Sequence, residues 1–184
     1  KVIKEAVAYE YGTAPADIVK PADPTKASTT EEVFAFAGWT PEISQVTGNA
    51  VYKATYTASP RSYTITFIDW NDHELQKTGV AYGTQPVYSG DKPTRASTAE
   101  YSYEFIGWTP AIVNVTGDAT YKATYKETAN EYTVTWIADG KTHATTTVAY
   151  GSAITLPVAP EKAGHEFLGW GQIPATMPAE NQTF

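Results

Sequence analysis

Cysteine is absent from the 184 residues and methionine occurs once. The first absence removes disulfide frameworks, thiolate zinc sites and cysteine nucleophiles together. Charge is sparse at 18% of residues, and 20 Asp and Glu outnumber 13 Lys and Arg for a formal net charge of −7. That balance argues against a protein that tracks nucleic-acid phosphates or docks on anionic membranes. No apolar run approaches the roughly 18 residues of a membrane-spanning helix, and Lys1-Val2-Ile3-Lys4-Glu5 lacks the apolar core of a signal peptide. An export signal or wall anchor is therefore expected outside this segment.

What is present suits a folded, mostly β protein. The hydrophobic share is 42% and the aromatic share 13%, with 13 Tyr among abundant Thr. Such a chain can fill a core, and β-branched and aromatic side chains favour a pleated, half-buried surface. Its length suits one ordinary domain or two to three very small ones.

Self-similarity decides between these. Gly38-Trp39-Thr40-Pro41, Val46-Thr47-Gly48-Asn49-Ala50 and Tyr52-Lys53-Ala54-Thr55-Tyr56 return as Gly107-Trp108-Thr109-Pro110, Val115-Thr116-Gly117-Asp118-Ala119 and Tyr121-Lys122-Ala123-Thr124-Tyr125, always at the offset that takes Gly38 to Gly107. The same offset carries Tyr63-Thr64-Ile65-Thr66-Phe67 onto Tyr132-Thr133-Val134-Thr135-Trp136. Tyr-Gly recurs at Tyr11-Gly12, Tyr82-Gly83 and Tyr150-Gly151, and Gly-Trp a third time at Gly169-Trp170. Three units follow: residues 1–58, lacking a first strand; 59–129, complete; and 130–184, lacking a last strand, which should begin at Gln182-Thr183-Phe184. The chain reads as a fragment of a longer array.

Within a unit, Tyr63, Ile65 and Phe67 alternate with threonines as a strand with one buried face. Asn71-Asp72 and Asp139-Gly140 then supply residues that tolerate the positive φ of a tight hairpin. Returning strands, Glu74 to Tyr82 and Lys141 to Tyr150, end at a Tyr-Gly whose glycine can turn the chain out of the sheet. In the Pro-rich connection that follows, Thr25 to Val33 has the composition of a short helix, limited to about two turns by Pro21 and Pro24. Tyr101, Tyr103, Phe105 and Gly107 then alternate with Ser102, Glu104, Ile106 and Trp108, a long strand with an aromatic face, and Tyr121, Ala123 and Tyr125 line a last strand. A unit of about 60 to 70 residues buries only about 60% of its unfolded surface, so contacts between neighbouring units are expected to help.

The order Tyr-x-Val-x-Trp, Asp-Gly, Val-x-Tyr-Gly, two spaced prolines and Gly-x-x-Phe-x-Gly-Trp resembles the Listeria–Bacteroides repeat, the internalin B-repeat. The third unit carries it most fully, in Tyr132 to Trp136, Asp139-Gly140, Val148-Ala149-Tyr150-Gly151, Pro157, Pro160, Gly164 to Trp170 and Pro174 to Pro178. The second unit lacks Gly after Asp72 and carries an insertion from Ser97 to Ser102, and the first lacks the opening strand. The resemblance implies tandem small β-grasp-like modules in an elongated array, mainly β and α+β at most. It also implies an extracellular setting on wall-anchored or secreted bacterial surface proteins, a stalk or adhesive role, and no catalytic motif.

Trp39, Trp108 and Trp170 could stack on sugars, but recurrence at one place in each unit favours packing, as it does for Trp136 in the position of Phe67. Trp70 stands at the hairpin turn where the offset gives Asp139, and is the best candidate for an exposed contact aromatic. Asp69, Asn71 and Asp72 read as a turn, lacking the spacing and distant Glu of an EF-hand. His73, His143 and His165 belong to different units and form no close pair. Glu31/Glu32 and Glu100/Glu104 come without a pocket-forming segment. Asn114-Val115-Thr116 and Asn181-Gln182-Thr183 match the glycosylation sequon by chance, and a Lys-to-Asn or Lys-to-Asp isopeptide staple would suit such a stalk although no motif marks one.

The expectation is a non-catalytic stalk or spacer that contributes to adhesion, with no catalytic, metal or cofactor residues and no assigned binding residues. The alternative is a module that binds a glycan or host protein through exposed aromatics. Expected partners are a host or extracellular protein or glycan, neighbouring repeats, and other copies through open sheet edges, with no nucleic acid and no membrane insertion.

Overall fold

The alternation of Tyr63, Ile65 and Phe67 with threonine folds as expected. In the computed structural model, which describes all 184 residues, it forms strand β3 (Ser62–Ile68), with Ile65 and Phe67 fully buried. Eight further strands accompany it: β1 (Glu32–Thr40), β2 (Lys53–Pro60), β4 (Glu74–Ala81), β5 (Tyr101–Thr109), β6 (Ala119–Ala129), β7 (Glu131–Ala138), β8 (Lys141–Ala149) and β9 (Gln182–Thr183). They form three sheets, ordered β1-β2, β4-β3-β6-β5 and β8-β7-β9. The protein is mainly β. The one helical turn is a 3₁₀ segment, Pro15–Asp17, with Pro at its start.

Thr25 to Val33 is not helical. Residues 25–29 have no regular secondary structure, and β1 begins at Glu32. The Thr29 hydroxyl accepts the N–H groups of Glu31 and Glu32 at 3.2 and 2.9 Å, a side-chain turn that competes with a helix for the same donors.

Contacts divide the chain into two compact units. The first comprises Lys1–Phe67, Gln76–Ser89 and Ala111–Tyr121; the second comprises Ile68–Leu75, Gly90–Pro110 and Lys122–Phe184. In the first, Phe67 stacks on Tyr121 with ring centroids 5.4 Å apart and meets Tyr88 at 5.4 Å, and Ile65 and Val115 are also buried. In the second, Val134, Trp136 and Met177 are buried together, covered by Tyr132, Val148, Ile154, Trp170, Ile173 and Phe184.

Both hairpin turns use the residues their geometry demands. Asp139 and Gly140 have φ of 51° and 72°, so two residues join β7 to β8 in the sense that matches strand twist. The longer loop between β3 and β4 puts the positive φ, 69°, on Asp72. The Tyr-Gly segments recur structurally too. Gly12, Gly83 and Gly151 all have φ between 75° and 89°, and each donates its N–H to the carbonyl of Val46, Val115 or Met177 at 2.8 to 2.9 Å. Met177 thus occupies the place of the two valines. Strand β9 lies parallel to β7, pairing Gln182 with Val134, while Asn181 accepts the Thr133 N–H at 2.8 Å. In the second repeat Asp118 accepts the Thr64 N–H at 2.7 Å.

The aromatic strand departs from simple alternation. The β5/β6 register pairs Phe105 with Tyr125 but Gly107 with Thr124, so one extra residue lies between them; β1/β2 repeats the bulge at Phe36 and Gly38. Strict alternation places Trp108 opposite Phe105. The extra residue returns it to the same side, and the rings meet edge-on at 5.3 Å and 71°. Phe36 and Trp39 meet at 5.5 Å and 65°, and Phe167 and Trp170 at 5.1 Å and 64°. Gly38, Gly107 and Gly169 have φ of 134°, 138° and 123°, conformations open only to glycine, and the Thr55 and Thr124 hydroxyls donate to the Gly38 and Gly107 carbonyls at 3.0 and 2.8 Å.

Candidate functional site

The most heavily built feature outside the cores is the junction between successive sequence repeats, and it occurs once in each compact unit. In the first unit, the Arg61 N–H donates to the Glu31 carbonyl and the Tyr82 N–H to the Arg61 carbonyl, both at 2.7 Å. Arg61 Nη1 reaches the Thr29 carbonyl at 3.0 Å and the Tyr63 hydroxyl the Thr30 carbonyl at 2.8 Å. In the second unit, the Asn130 N–H donates to Glu100 and the Tyr150 N–H to Asn130, both at 2.8 Å. Asn130 Nδ2 reaches the Thr98 and Ala99 carbonyls at 2.9 and 3.0 Å, and the Tyr132 hydroxyl donates to Ala99. The Thr98 hydroxyl accepts the N–H groups of Glu100 and Tyr101, as Thr29 does for Glu31 and Glu32. Partner for partner, the two junctions are the same device moved along the chain by one repeat.

Each junction closes on a tyrosine of perturbed acidity. Tyr82 donates to Glu31 Oε1 at 3.3 Å, and the charge of Glu31, then burial, raises its phenol above the usual value of 10.0. Tyr101 meets Tyr150 edge-on at 5.6 Å; burial first, then the charge of Glu127, raises its phenol too.

The tryptophans separate into three environments. Trp136 is fully buried, while Trp39, Trp108 and Trp170 are half-buried. Trp70, the hairpin candidate, is 44% exposed. Its loop is held by Asp69 Oδ1, which accepts the N–H groups of Asn71 and His73 at 3.0 and 2.9 Å; that oxygen closes a turn. Asp72 instead pairs with Lys122 at 2.6 Å, and Asp139 at the other hairpin pairs with Lys162 at 2.8 Å. Both are exposed ion pairs worth about 0–1 kcal/mol. No three His, Cys, Asp or Glu side chains converge. His143 Nε2 lies 2.9 Å from the Val158 carbonyl and His165 Nδ1 3.1 Å from that of Ala163.

Sequence reasoning missed what lies over the aromatic strand. The Lys26 ammonium sits 3.4 Å from the centre of the Phe34 ring, and the Arg95 guanidinium 3.6 Å from that of Tyr103 and 5.0 Å from that of Trp70. A signal was available: Pro24-Thr25-Lys26-Ala27-Ser28-Thr29 returns at the repeat offset as Pro93-Thr94-Arg95-Ala96-Ser97-Thr98. That motif supplies the cation and, at its end, the junction threonine.

Comparison with known proteins agrees with the motif reading. Residues 132–176 match the Listeria-Bacteroides repeat domain, a segment that lies within the third unit. Two proteins of Evansella cellulosilytica are similar. One, whose name calls it a membrane protein, is 31% identical over 140 residues, 73% of this chain; the other, whose name calls it a Gly-rich membrane protein, is 28% identical over 177 residues, 90% of this chain. The chain spans 20% of the length of each of these curated relatives. Among solved structures, streptococcal high identity repeats in tandem (SHIRT) domains 3-4 of a cell surface protein align with 18% identity and a TM-score of 0.36, over 70% of this chain and 86% of that one. No helix is long and apolar enough to cross a membrane.

Proposed function

We propose that these residues form a non-catalytic repeat segment of a bacterial cell-surface or secreted protein, which spaces and presents an adhesive domain elsewhere in the same protein. The repeated junction carries this reading. A spacer must pass a fixed geometry from one repeat to the next, and a set of backbone and side-chain hydrogen bonds reproduced at the repeat offset does so without an added linker. The membrane-protein names of two longer relatives support a setting in the cell envelope. The division at 1–58, 59–129 and 130–184 belongs to the same proposal.

Small-angle scattering on the chain and on two copies in tandem tests it. A spacer gains length with each repeat, so the maximum dimension should rise in proportion to repeat number. A radius of gyration near about 16 Å, expected for one compact domain of this length, would overturn the reading.

A further inference from the structure

Arg95 stands out among the cations. It forms no ion pair and no hydrogen bond, although it is half-buried and lies over two aromatic rings, Tyr103 at 3.6 Å and Trp70 at 5.0 Å. A guanidinium is planar, with five N–H donors arranged around its edge. Rings take its faces by cation–π attraction and leave those donors for an acceptor.

The first repeat separates the structural part of this arrangement from the rest. There Lys26 lies over Phe34, so a cation on the ring of the aromatic strand belongs to the repeat itself and fastens the preceding segment to the strand. The second repeat exchanges Lys for Arg and Phe for Tyr, and adds Trp70. Packing asks for none of these changes. Trp70 is 44% exposed on a turn clamped by Asp69, and the third repeat has the Asp139-Gly140 turn there instead.

We propose that Trp70, Arg95 and Tyr103 bind a carboxylated sugar residue of the uronic or sialic acid class. An exposed indole offers a flat apolar face to the C–H side of a pyranose, and the guanidinium edge beside it offers two parallel N–H donors to the carboxylate. A neutral sugar leaves that charge unanswered. A densely charged polyanion meets a protein with a net charge of −7 and a single free guanidinium at the site, so one carboxylate on a sugar ring is the better match.

The test is a ligand-observed NMR titration of the 184-residue chain with a glucuronate-terminated disaccharide, a sialic-acid-terminated trisaccharide, their neutral glucose- and galactose-terminated counterparts, and a short glutamate peptide. At least one acidic sugar should bind about tenfold or more tightly than its neutral counterpart, the equivalent of one charge-assisted hydrogen bond. Trp70→Ala should abolish binding. Arg95→Lys, which keeps the charge and the cation–π contact but loses the paired donors, should weaken it about tenfold. Unchanged circular dichroism and melting in each variant separate a lost site from a lost fold. Binding of neither acidic sugar, equal binding of acidic and neutral sugars, or binding of the glutamate peptide as tight as that of the sugars overturns the proposal.

Discussion

Replacing Gly38 or Gly48 by alanine should move stability in opposite directions. A Cβ built on either glycine meets nothing within 4 Å, so neither substitution causes a clash. The two differ only in backbone. Gly38 has φ of 134°, at the bulge that brings Trp39 onto Phe36, whereas Gly48 lies outside the positive-φ region. Both alanines restrict the unfolded chain and so favour folding by about 0.4–1 kcal/mol. Gly38→Ala must also hold an L-residue in a conformation reserved for glycine, at about 1–3 kcal/mol. Subtracting one variant from the other cancels the entropy and leaves the strain. The expected separation is therefore about 1–3 kcal/mol, or at least about 4 °C in Tm for a cooperative unit of about 60–100 residues. Both positions lie in the first compact unit, so one transition reports both. Thermal melts followed by near-ultraviolet circular dichroism, where the Phe36 and Trp39 rings contribute, make the measurement. Equal stability of the variants, or a more stable Gly38→Ala, would refute the claim that the bulge conformation fixes this glycine.

The junctions and their tyrosines supply two further expectations. Tyr63→Phe and Tyr132→Phe each remove one hydroxyl donated to a backbone carbonyl, and each should cost about 0.5–1.5 kcal/mol in denaturant titrations; no loss at either site would mean that these bonds do not hold the junction. Stability should also fall in alkali. The folded phenols of Tyr82 and Tyr101 ionise above 10.0, so their contribution is complete below that pH and is lost as pH rises through the folded values, because the unfolded chain gives up its protons first. Melting temperatures from about pH 8 to 12 should drop above pH 10 by less in Tyr82→Phe with Tyr101→Phe than in the parent chain, and an identical drop in both would count against this origin.

Elements whose partners are close in sequence are legible from the residues. Alternation locates β3 and β7 and Asp139-Gly140 locates a hairpin, whereas the strand start at Gln182, whose partner β7 is distant, is legible only through the repeat order. The bulge is not legible, because a period of two assumes one residue per step and places Trp108 on the face opposite Phe105. Its signal, a glycine directly before Trp39, Trp108 and Trp170, reads in the sequence as a motif and not as a backbone requirement. The helix expected at Thr25 to Val33 does not form because Thr29 accepts the N–H groups of Glu31 and Glu32 and the side chains of Arg61 and Tyr63 bind the Thr29 and Thr30 carbonyls, contacts that composition cannot register. Likewise Trp70 stands out in the sequence while Arg95 does not, since the two are distant along the chain and only the fold brings the guanidinium over the indole.

In a repeat protein the offset can separate scaffold from site. A side chain whose contacts recur one repeat away answers a requirement of the module: Thr55 and Thr124 on the bulge carbonyls, Tyr63 and Tyr132 at the junctions, Lys26 and Arg95 on the aromatic strand. Recurrence also explains why Trp39, Trp108 and Trp170 are poor candidates for ligand contact despite their partial exposure, since each is turned edge-on to the phenylalanine that precedes its Gly-Trp pair. A ligand site on such a scaffold should appear instead as a departure from the repeat that leaves its packing intact. Trp70 meets that description, standing on a turn that the third repeat closes with two residues and adding a ring to a cation that the first repeat holds with one.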